Sequence, residues 1–128
     1  MKIALTSVFV HDPKTAFKFY TEVLGFVEKL YMPEANLAIV ASPEEPNGTG
    51  LLLEPNDNPL SKTYQEGLFN SGIPCIIFGV EDIKTEYERM KNLGVEFTME
   101  PTNMGMTSAA VFNDTCGNLI QIYQLNNA

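Results

Sequence analysis

From Val10 to Phe26 the chain reads Val-His-Asp-Pro-Lys-Thr-Ala-Phe-Lys-Phe-Tyr-Thr-Glu-Val-Leu-Gly-Phe. This is a strand end, a capped helix and a glycine stop. Asp12 is placed to accept hydrogen bonds from the first free helix amides, and Pro13 sits where a missing N–H costs nothing. Ala16, Phe17, Tyr20, Val23 and Leu24 recur at three- and four-residue spacings, which makes one apolar face over a predicted helix Pro13–Leu24. Gly25 supplies the left-handed stop.

The same pattern returns from Val80 to Val95. Val10, Asp12, Lys14, Thr15, Phe17 and Tyr20 correspond to Val80, Asp82, Lys84, Thr85, Tyr87 and Met90, all shifted by 70. After one deletion, Leu24, Gly25 and Phe26 correspond to Leu93, Gly94 and Val95 at a shift of 69. Ile83, Tyr87, Met90 and Leu93 carry the apolar stripe of the second copy. A strand before each helix and apolar strands after it mark a duplicated unit.

Around the first helix, strands are predicted at Ile3–Val10, Phe26–Tyr31, Leu37–Ala41 and Leu51–Glu54. Both faces of the first are largely apolar, which predicts burial on both sides. Around the second helix, Ile83–Leu93, strands are predicted at Ile73–Val80, Val95–Met99, Thr107–Phe112 and Asn118–Gln124. Asn113 to Gly117 forms the last turn. The segment 57–72 joins the copies, with a short helix over Ser61–Phe69. The expectation is one α+β domain over 1–128. It holds two tandem βαβββ modules, about 1–56 and 73–126, whose strands form a curved mixed sheet around a cavity with helices outside.

Composition narrows the function. With 45% hydrophobic residues the chain can bury a core, and its net charge of −8 opposes nucleic-acid binding. No run of about 20 apolar residues predicts a membrane span. Cys75 and Cys116 form neither a disulfide scaffold nor a Cys-x-x-Cys motif, so the expectation is a cytoplasmic protein with reduced thiols.

Phe-Tyr-Thr-Glu-Val-Leu-Gly-Phe at 19–26 and Asp-Thr-Cys-Gly-Asn-Leu-Ile-Gln-Ile at 114–122 resemble the vicinal oxygen chelate superfamily, in its glyoxalase/bleomycin-resistance-like branch. The resemblance implies a curved sheet around a ligand site, and a homodimer. In metal-dependent relatives the ligands lie on the first and fourth strands of each module. Those places fall here on Leu5, about Leu52, Cys75 and Gln121, with Glu54 on the same strand face as Leu52. Leu5 has no donor atom, and a Cys/Gln/Glu set is an odd host for a hard divalent ion. His11 is the single histidine and reads as a solvated residue before the helix cap. No metal and no cofactor are expected.

By alternation Leu5, Ser7 and Phe9 share a face, as do Leu52 and Glu54, Cys75 and Ile77, and Gln121 and Tyr123. If these faces line a cavity, it is mostly apolar with a few polar handles, which suits a small organic ligand. The same residues can equally fill a core. Met104-Gly105-Met106 reads as a soft lid. Two functions remain open. One is metal-independent binding of a small organic molecule; the other is a lactoylglutathione-lyase-like isomerase or lyase with Glu54 as general base. A ferredoxin-like regulatory domain is disfavoured by three strands, rather than two, after each helix.

Overall fold

A computed structural model describes residues 1–127. Both predicted caps form. Asp12 is extended (φ −144°, ψ 113°) and accepts from the Lys14 amide at 3.2 Å and from Thr15 Oγ1 at 3.0 Å. Asp82 is extended likewise (φ −133°, ψ 99°) and accepts from the Thr85 amide at 3.1 Å. Gly25 and Gly94 end the two helices at φ +89° and +88°, a left-handed conformation that glycine adopts without strain.

The order of elements is β1 (Leu5–Val10), α1 (Pro13–Lys18), β2 (Val27–Met32), β3 (Leu37–Ala41), β4 (Gly50–Pro55), α2 (Pro59–Asn70), β5 (Ile76–Gly79), α3 (Ile83–Asn92), β6 (Phe97–Asn103), β7 (Thr107–Asn113) and β8 (Leu119–Leu125). The fold is α+β with two four-stranded mixed sheets, ordered β1-β4-β3-β2 and β5-β8-β7-β6. In each, the first and last strands of the module pair in parallel and the others are antiparallel. The chain divides into two compact units, Met1–Gln65 and Glu66 onward, with the boundary inside α2.

The single-residue offset between the copies has a structural counterpart. After Lys18 the first helix widens into a π turn over Phe19–Val23, where the Leu24 amide donates to the Phe19 carbonyl at 3.2 Å. Its counterpart α3 is regular. A π turn takes in one extra residue without breaking the helix. Tyr20 and Met90, still at the shift of 70, are both buried, and the extra residue falls between Tyr20 and Gly25.

In the first unit Val8, Val10, Leu51, Leu53, Ala38 and Val40 are buried on the helix side of the sheet, with Ala16 and Tyr20. Phe17 of α1 stacks on Tyr31 of β2, ring centroids 4.0 Å apart and nearly parallel. In the second unit Phe97 packs edge-on to Tyr87 of α3 and beside Phe112. β6 runs further than predicted, through Pro101. It is an edge strand with register shifts on both sides of Met99, a setting that tolerates a residue without an N–H.

The buried pattern corrects the expectation for β1. Val8 and Val10 are buried, but Leu5, Thr6 and Ser7 are exposed. The helix α1 packs chiefly on β3 and β4, and burial along β1 is confined to its C-terminal end.

Candidate functional site

Strand pairing decides which side chains share a face. Ser7 lies opposite Leu52, Phe9 opposite Glu54, and Leu5 opposite Gly50. Leu52 in turn pairs with Ile39, and Ile39 with Leu30. Tyr31 points to α1, so its neighbours Leu30 and Met32 point away from it. The first unit thus brings Leu5, Ser7, Phe9, Leu52 and Glu54 together on the helix-free face of one sheet. Leu5, Leu30 and Met32 there are 48%, 41% and 40% exposed.

The second unit does the same with its own set. Ile77 pairs with Gln121 and Gly79 with Tyr123, while the Cys75 amide donates to the Leu119 carbonyl at 3.0 Å. Cys75, Ile77, Gln121 and Tyr123 therefore share the helix-free face of the second sheet. The Tyr123 ring lies beside Gly79, at an ordinary contact distance of 3.5 Å from where a Cβ would stand.

The chemistry of these residues is spare. Cys75 is pushed up to about 11, first by burial and then by the Asp114 carboxylate nearby. Thiolate is the nucleophilic and metal-binding form of cysteine, so this thiol is held in its unreactive state. Among the described residues no three of His, Cys, Asp or Glu come together as a group able to hold a metal. Leu5 carries no donor, and the resemblance's four ligand positions do not make a fitting set for a divalent ion. Asp114 spends its carboxylate on the turn, accepting from the Cys116 and Asn118 amides at 2.7 and 2.9 Å and from Asn118 Nδ2 at 2.9 Å.

The Met104–Met106 turn, expected as a soft lid, carries two exposed methionines and several hydrogen bonds. Asn126 Nδ2 donates to the Gly105 carbonyl at 2.9 Å, the Asn126 amide donates to the Met106 carbonyl at 2.9 Å, and the Gly105 amide donates to Asn103 Oδ1 at 2.8 Å. The sequence signal for this clamp, an asparagine just past the last strand, is too common to be read alone.

Sequence alternation also missed Lys29. It places Lys29 with Tyr31 on the helix side, but a register shift between Glu28 and Leu30 turns Lys29 to the other face. Its stem passes over Gly50, where a Cβ would come 3.2 Å from Lys29 Cδ, 2.8 Å from Leu5 Cδ2 and 2.7 Å from Ile39 Cγ2. Its ammonium donates to the Gly48 carbonyl.

The family model of the Glyoxalase/Bleomycin resistance protein/Dioxygenase superfamily matches residues 2–122. The chain belongs to that superfamily. It is 52% identical over 126 residues to YurT of Bacillus subtilis (strain 168), covering 97% of this chain and 99% of that protein. Among solved structures it is similar to UcmS2, with a TM-score of 0.79 at 25% identity, covering 96% of this chain and 97% of the other. TnmS3, an antibiotic binding protein from Streptomyces sp. CB03234, shares the fold with a TM-score of 0.76 at 24% identity, over 98% and 97% of the two chains. Superfamily membership brings the scaffold, and the chemistry has to be argued from the residues on it.

Proposed function

We propose that this superfamily member binds a small, partly apolar organic molecule on the helix-free faces of its sheets, without a metal. The observation that carries the reading is the uncovered apolar face of the first sheet. Leu5, Leu30 and Met32 are exposed on it beside the half-buried Leu52, and an exposed apolar face of this kind is a place for a ligand or partner. The antibiotic-binding TnmS3 has the same fold, which supports this choice of ligand class. Ser7 is the polar group available on the face of the first sheet, and Gln121 and Tyr123 are those on the face of the second. The proposed form is a cytoplasmic homodimer, in which both cysteines remain free thiols.

The test is a thermal-shift and calorimetric screen with aromatic antibiotics, glutathione adducts, nickel and zinc. An organic compound is expected to raise the melting temperature, and Leu52→Asp is expected to abolish that rise. A shift with nickel or zinc alone overturns the reading.

Glu54 favours a second reading. It is half-buried on the ligand face opposite Phe9, and its carboxylate enters no ion pair among the described residues. As a general base it would serve a lactoylglutathione-lyase-like isomerase or lyase. That reading expects turnover of a glutathione hemithioacetal that Glu54→Gln removes; turnover unchanged in the variant excludes Glu54.

A further inference from the structure

Three separate features of the first unit converge on one side chain. The β-bulge in β2 turns Lys29 onto the helix-free face. Gly50, which has no side chain to block it, lets the Lys29 stem lie across the strand beside Leu5. The Gly48 carbonyl then fixes the ammonium at the end of that stem. One acceptor uses one of three ammonium protons, and no carboxylate among the described residues pairs with it.

Next to this ammonium lies a half-open groove of about 500 Å³, between residues 2–5 and the loop 45–49. Its walls are well tied. Thr49 Oγ1 donates to the Ile3 carbonyl at 2.9 Å, the Gly50 amide to the Ala4 carbonyl at 3.0 Å, and the Gly48 amide to the Glu45 carbonyl at 2.9 Å. Ile3 and Leu5 supply apolar wall, and the ionic side chains lining it are Lys2, Lys29 and Glu45. The local balance is positive in a chain of net charge −8.

We propose that Lys29 anchors an anionic group of the ligand in this groove, so that the ligand is an organic acid whose apolar body extends from Leu5 onto the sheet face. This rests on the reading of that face as the binding surface. Lys29 is exposed, but its stem lies against Gly50 and its head is held by one carbonyl, which restricts the ammonium before binding, and an anion gains a charge-assisted hydrogen bond. Lys2 also lines the groove and adds a second positive charge to it.

The test is isothermal titration of the full chain with naphthoate and with its neutral isostere, naphthamide. Naphthoate is expected to bind about tenfold more tightly. Lys29→Met, which keeps the stem, is expected to remove that preference by weakening naphthoate alone, and Lys29→Arg to retain it. Equal affinities in the unaltered protein, or a preference that survives Lys29→Met, overturn the anchor. Naphthamide binding as well as naphthoate leaves the apolar face standing as the site and removes only the anion. If neither compound binds at millimolar concentration, both the anchor and the face reading fall.

Discussion

Asp114 shows what one residue does when its surroundings are complete. It is wholly buried, and its carboxylate closes the 114–118 turn by accepting from two amides and from Asn118. Asp114→Ala leaves those donors buried without the acceptor and is expected to cost about 3 kcal/mol, measured by urea unfolding. The same carboxylate helps to hold the Cys75 thiol protonated. With its pKa pushed up to about 11, Cys75 at pH 8 is thiolate in roughly one molecule per thousand. Iodoacetamide is therefore expected to label native Cys75 far more slowly than a free thiol. The sequence displayed the turn as Asp-Thr-Cys-Gly-Asn. It did not display the proximity of Asp114 to Cys75, because that depends on β5 and the turn meeting in space.

At the scale of elements, the helix caps were the most legible feature, since a cap is a local interaction between neighbours in sequence. Asp12 and Asp82 both titrate below their ordinary 3.8, chiefly through hydrogen bonds from Thr15 and Lys14 in the first case and from the Thr85 amide in the second. A carboxylate lowered in the folded state contributes stability that is present above its unfolded pKa and lost as pH falls through the folded one. The double variant Asp12→Asn/Asp82→Asn is thus expected to show a flatter loss of melting temperature below about pH 4. The tether of α2 was not legible. Gln65 is buried, donates to the Phe9 carbonyl at 2.8 Å and accepts from Asn56 Nδ2 at 2.7 Å. Gln65→Ala is expected to cost about 2 kcal/mol in a thermal or urea melt. Nothing in Gln65's own neighbourhood of sequence names a partner 56 residues away. The β2 bulge was hidden for a related reason: strict alternation describes a strand only until a residue is inserted into the ladder.

For the molecule as a whole, the duplication was readable because two copies of one pattern confirm each other. The shift from 70 to 69 even marked where the π turn falls. What each sheet face holds was less readable, because alternation assigns sides without saying which side a helix covers. The charge and donor inventory leads to one further expectation. Prolonged chelation with EDTA should leave the melting temperature of the purified protein unchanged, since the places where metal-dependent relatives put ligands carry Leu5, Leu52, Cys75 and Gln121. A drop restored by adding back zinc or nickel would show that a metal supports the fold after all.

The bulge at Lys29 has a twin. In the second copy the ladder skips Thr98, between Phe97 and Met99, at the same offset of 69 that relates the two glycine stops. A bulged residue stands outside the pairing of its strand, so its identity can change while the ladder around it persists. The same irregularity stands in both copies, with an amine-bearing residue outside the ladder in one half and a hydroxyl-bearing residue in the other. Either side chain can therefore be exchanged without a change in the strand pairing that flanks it, which makes the two positions free to vary independently of the scaffold.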